Sequence, residues 1–127
     1  MRHARIGAVL YILWGFFHLI AAYQEFALGA GLEPGLVRGK IYQGGWNLLF
    51  IALASIGIVV AFNWKNSKLG YWLNLALISL ADIGFLIFIF LPGYVNLATG
   101  LIGPFFWVTG AIFSTMGIRG IRMRPIG

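Results

Sequence analysis

The chain has 127 residues, 61% of them hydrophobic and 9% charged, with a formal net charge of +6 and no cysteine. So little polar surface cannot cover a soluble domain of this length, which makes lipid the expected solvent. The missing cysteine excludes disulfides, thiolate catalysis and Cys-based metal or iron–sulfur sites. The basic residues sit only in short segments flanking apolar runs, the pattern of topology signals rather than of a nucleic-acid surface.

A basic head, residues 1–5, precedes a first apolar run over about 6–28. That run is too long for a signal-peptide core and reads as a mature helix. Residues 29–43 break the pattern, with Gly29, Gly31, Pro34, Gly35 and Gly39 among Glu33, Arg38 and Lys40, and read as the longest loop. A second helix is expected over about 44–62 and a short polar connection over 63–68. A third helix over about 69–91 ends at Pro92-Gly93, and a fourth over about 97–118 is kinked or begun afresh at Pro104. Residues 1–127 thus read as one integral membrane domain, an all-α, four-helix transmembrane bundle. Of the nine Lys and Arg, the head, the 63–68 connection and the tail hold seven: Arg2, Arg5, Lys65, Lys68, Arg119, Arg122 and Arg124. Only Arg38 and Lys40 fall on the other side, so the positive-inside rule places both termini in the cytoplasm, with the plasma (inner) membrane as the expected location.

Within that frame one residue stands out: Asp82, the only acid in the third helix and close to its middle. An acid at that depth costs several kcal/mol, about 3 on insertion scales, and needs an interior face and a partner. His18 in the first helix lies at the same height, each residue about twelve positions, roughly 18 Å, from the cytoplasmic end of its helix. The two can form a structural hydrogen bond that fixes helix packing, or a proton-handling pair in a substrate cavity. Glu25 follows His18 by seven residues, about 20° around the helix, and looks to the same side nearer the outer surface. It is either a cavity residue or an interfacial acid paired with Arg38 or Lys40. Asn47, with Tyr42 just before it, can orient a ligand or bond across helices. Trp107 in the fourth helix reaches a height similar to His18, for packing or for the pocket wall. These residues sketch an outward-leaning polar pocket with aromatic walls, suited to a small apolar molecule with one polar group. Phosphate-binding loops, HExxH and nucleophile elbows are absent, and three acids are too few for a di-metal carboxylate site, so no metal site is expected.

Three segments resemble a known family. Phe17-His18-Leu19-Ile20 followed by Glu25-Phe26, Gly44 to Asn47, and Ala81-Asp82-Ile83-Gly84-Phe85 with Phe88 after it are similar to segments of styrene oxide isomerase, a family of small four-helix membrane enzymes. The resemblance covers most of the first three helices, with the Asn47–Asp82 spacing matched without a gap. It implies a homo-oligomer with haem b at subunit interfaces, whose ferric iron acts as a Lewis acid on an epoxide oxygen and yields an aldehyde. Asn47 matches the family's active-site Asn. The position of its haem-ligating His aligns with Ile41, which cannot bind iron, and that of its catalytic Tyr with Leu86, leaving Tyr42 and Gln43 as the nearest polar substitutes. The expected function is therefore a membrane-embedded isomerase-like enzyme acting on a small lipophilic substrate. Asp82 and His18 would exchange protons, Asn47 and Tyr42 would orient the polar group, and Glu25, Trp107 and Phe85 would contact the substrate. The alternative is a non-enzymatic membrane protein, whether small-molecule carrier, lipid-binding module or complex subunit, with Asp82 as helix glue or an ion-coupling site.

Overall fold

In a computed structural model that describes residues 2–122, with side chains up to Gly120, the chain forms helices and turns, with no strand among the described residues. Arg124 of the basic tail lies outside the described residues. The first helix, α1 (Arg2–Ala30), turns one face inward at spacings of three and four: Ala4, Ala8, Tyr11, Trp14, Gly15, His18 and Ala22 are all buried. The small members of that face let neighbouring backbones come close. A Cβ on Gly117 would lie 2.8 Å from the Ala4 Cβ, and one on Gly15 would lie 2.6 Å from the Ile56 side chain. Only glycine admits these two approaches.

The second helix, α2 (Leu36–Ala61), starts eight residues before the expected Gly44. The loop ahead of it shrinks to 31–35, because helical geometry gives the charged stretch its own partners. The Arg38 guanidinium donates to the Tyr42 hydroxyl one turn on, at 3.0 and 3.2 Å, and to the Leu32 carbonyl at 3.5 Å. Gly29 and Gly39, read as loop residues, are here helix positions. A 3-10 turn, Asn63–Lys65, leads to Asn66 in the left-handed region (φ 57°), where a short amide side chain is tolerated. Its amide donates to the Gly117 carbonyl at 2.9 Å, tying the turn to the last helix.

The third helix, α3 (Lys68–Phe85), continues as one wide π turn over Leu86–Phe90, in which the Leu91 N–H donates to the Leu86 carbonyl five residues back. Pro92 and Gly93 (φ 80°) then end it, as expected. A single turn, α4 (Leu97–Gly100), is capped by Asn96, whose side chain accepts from the Thr99 N–H at 2.9 Å. The chain restarts as α5 (Ile102–Arg122). The break falls at Leu101, and Pro104 sits in the first turn of α5, where its missing N–H would have had no helical partner.

α1 packs along α2 and α5, and α3 leans on α2 and α5. α1 and α3 therefore stand across the bundle from each other, their backbones scarcely in contact. Among the described residues four helices are long and apolar enough to cross a membrane. The radial pattern agrees with an apolar surrounding: Leu80 is 74% exposed and Phe88 71%, whereas Asp82 is 1% exposed and Asn74 fully buried.

Candidate functional site

The space left between α1 and α3 is a cavity of about 560 Å³. Phe17 and Leu28 of α1, Leu48 and Ile51 of α2, and Phe85 of α3 form its apolar wall, and Pro104 brings α5 up to it. Five of the seven candidate residues line it: His18, Glu25, Asn47, Asp82 and Phe85. The helical phase read for Glu25 and His18 is the observed one. Gln24 and Thr99 add two further polar groups.

At the inner end, Asp82 is held from two sides. The Trp14 indole N–H donates to Asp82 Oδ2 at 3.0 Å, and His18 Nε2 lies 3.5 Å from Asp82 Oδ1. The Trp14 and His18 rings stack, with centroids 3.8 Å apart and an interplanar angle of 23°. His18 Nδ1 lies 2.8 Å from the Trp14 carbonyl, and a carbonyl oxygen only accepts, so Nδ1 carries a hydrogen. In a neutral ring this tautomer leaves the Nε2 lone pair facing a carboxylate oxygen, which is repulsive. A proton on either Nε2 or Oδ1 would remove that repulsion, so the geometry suits a pair able to pass one proton between them. Gly103 makes room for this pair: a Cβ there would lie 3.1 Å from His18 Cε1 and 3.6 Å from Asp82 Oδ1.

Nearer the mouth, the Glu25 carboxylate rests against the backbone of α2 at Gly44, where a Cβ would come within 2.6 Å of Oε2. Arg38 does not pair with it, being turned to Tyr42 and Leu32. No ion-pair partner of Glu25 occurs among the described residues.

Two expected residues lie elsewhere. Tyr42 is half-buried under Arg38 and against Phe26, off the cavity wall. Because α2 is already helical at residue 42, Tyr42 points about 140° away from Asn47, five residues on. Trp107 donates its indole N–H to Ser79 Oγ at 2.9 Å and packs on the core between α3 and α5. Trp14 is the residue beside the His18–Asp82 pair that sequence reasoning missed. Its signal is the spacing of four to His18, which puts both on one helix face.

The haem b implied by the resemblance finds no ligand at the position aligned with the family's haem-ligating His. Ile41 packs near Gly29 at the end of α1, and both nitrogens of His18 are engaged, one by a carbonyl and one toward Asp82. No group of three His, Asp or Glu able to hold a metal ion occurs among the described residues. Comparison with protein-family models, with curated proteins and with solved structures finds no match for this chain.

Proposed function

We propose that the protein is a membrane-embedded isomerase-like enzyme that rearranges a small lipophilic substrate by proton transfer from the His18–Asp82 pair. Four apolar helices and the Lys and Arg distribution support a chain that crosses the plasma membrane four times with both termini cytoplasmic. A homo-oligomer would cover α3, whose span is only 17% buried against 39% for α1. The observation that carries the reading is the approach of His18 Nε2 to within 3.5 Å of Asp82 Oδ1 at the wall of an apolar cavity. For a substrate of the epoxide type, which the resemblance implies, a proton from the pair goes to the ring oxygen as one C–O bond breaks. A hydride then shifts from the oxygen-bearing carbon to its neighbour, a carbonyl forms, and the proton returns to the pair. Nothing is consumed. Trp14 holds Asp82 in place, and Asn47 reaches the cavity where an amide can orient the substrate oxygen.

The test is turnover of styrene oxide and small terminal epoxides by purified protein in vesicles, with the aldehyde measured directly. Wild type should form aldehyde, and Asp82→Asn should lose activity while its size-exclusion profile is unchanged. A wild type without turnover, or an Asp82→Asn variant as active as wild type, overturns the proposal. The visible spectrum of the same sample should show no stoichiometric Soret band; such a band would return haem to the mechanism, with His18 or Tyr42 as the ligand to test.

A further inference from the structure

The charge on the cavity wall is opposite to that of the protein. The chain carries +6, yet two of its three acids, Asp82 and Glu25, line this one cavity, and no described Lys or Arg side chain reaches it. The two acids differ in what they already have. Asp82 receives the Trp14 N–H and has His18 Nε2 at 3.5 Å. Glu25 has neither a cation nor a hydrogen-bond donor among the described residues, and the nearby Arg38 is committed to Tyr42.

What surrounds Glu25 selects its counterion. Asn47, Gln24 and Thr99 offer neutral oxygens, and Phe17 and Phe85 bring aromatic rings to the same cavity, whose lining apart from His18 and Asp82 is otherwise small or aliphatic. Ring faces and carboxylates both attract positive charge. An anion is repelled by such a wall, and a neutral guest such as an epoxide can enter but makes no use of the Glu25 carboxylate. A small metal cation asks for a cage of six or more oxygens, which mostly apolar walls do not supply. An organic cation with an apolar body satisfies both features at once. Low-dielectric walls also focus the field of a lone carboxylate into the cavity.

We propose that this cavity binds a lipophilic organic cation, an amine or onium, with Glu25 as its counterion and Phe17 and Phe85 against its apolar body. The proposal goes beyond the isomerase reading and does not rest on it, because it concerns the charge the cavity accepts.

The probe pair is benzyltrimethylammonium and its uncharged carbon isostere, neopentylbenzene, which have the same shape. Their binding is measured by equilibrium dialysis against the full-length protein in nonionic micelles, with empty micelles as the blank. The cation should bind saturably and on the order of tenfold or more tighter than the isostere. Glu25→Gln should remove most of that preference. Equal or tighter binding of neopentylbenzene, no saturable binding of the cation, or full cation affinity in Glu25→Gln overturns the proposal. If Glu25→Gln does not fold, the two probes on wild type decide alone. Epoxide turnover on the same preparation separates the two readings. Turnover without cation preference removes this inference and keeps the isomerase, and cation preference without turnover does the reverse.

Discussion

The two ends of the bundle use polar side chains in opposite ways. At the end that holds the 63–68 turn, three amides and a pair of hydroxyls tie helices together, while Ser55 Oγ, Asn74 Oδ1 and Ser114 Oγ stay buried without a partner among the described residues. Asn66 donates to the Gly117 carbonyl, Asn74 to the Ser55 carbonyl and to Asn63, and the Tyr71 hydroxyl meets Thr115 at 3.0 Å. The void among Asn63, Asn66 and Ser114 is only about 10 Å³, below the size that admits even a small organic molecule. At the other end the polar groups include the ionisable His18, Glu25 and Asp82, and they face a cavity some fifty times larger. Neutral amides can tie helices together without a net charge to compensate, and carboxylates cannot. The difference teaches that buried polarity alone does not mark a site here; buried charge beside empty space does.

Substitutions in the two halves should separate accordingly. The largest effect is expected at the cavity: Asp82→Asn should lower epoxide turnover by about a hundredfold or more, measured as kcat, because an amide cannot pass a proton to and from the substrate. Comparable losses for Asn74→Leu would break the distinction between the halves. Next comes Gly117→Leu in the packed half, where the side chain would run into Ala4. It should destabilise the bundle by about 2–3 kcal/mol, read as a lower midpoint of thermal unfolding in detergent, with turnover per folded molecule unchanged. Trp14→Phe keeps the ring beside His18 and deletes the donor to Asp82 Oδ2. A loss of about 1–2 kcal/mol is expected, divided between stability and kcat. If kcat is untouched, Trp14 only packs. The smallest effect belongs to Tyr42→Phe, which removes a half-exposed hydroxyl from Arg38 and should change stability by less than about 0.5 kcal/mol and turnover not at all. A tenfold loss of turnover there would put Tyr42 back in the site.

How much of this was readable beforehand depended on how far each inference reached along the chain. The pairing of His18 with Asp82 could be read because depth in a helix is a count of residues, and a buried acid needs a partner of matching height. The alignment of Glu25 with His18 needed only helical phase. Tyr42 and Trp107 were misplaced because phase is meaningful only when the helix start is known. Glycines at 35, 39, 44 and 45 hid the start of α2. The break at Leu101 and the close packing of α5 on α1 settled where Trp107 points. Trp14 was visible in spacing but not in role, since an indole among apolar residues reads as packing until the carboxylate across the bundle is located.

The sequence by itself determined the four membrane-length apolar helices, their ends at Pro92-Gly93 and in the 63–68 turn, and an interior that must shelter Asp82. These follow from composition, backbone chemistry and the energetic cost of charge in an apolar medium, all of which act locally or over one helix length. Only the tertiary structure decided that α1 and α3 stand across the bundle and leave a cavity between them. It also decided that Trp14 bridges that gap to Asp82, and that Glu25 faces the cavity rather than Arg38. Those outcomes depend on which small residues let which backbones approach, as Gly15, Gly103 and Gly117 do. Close packing of that kind is a property of pairs of surfaces, and no single helix contains it.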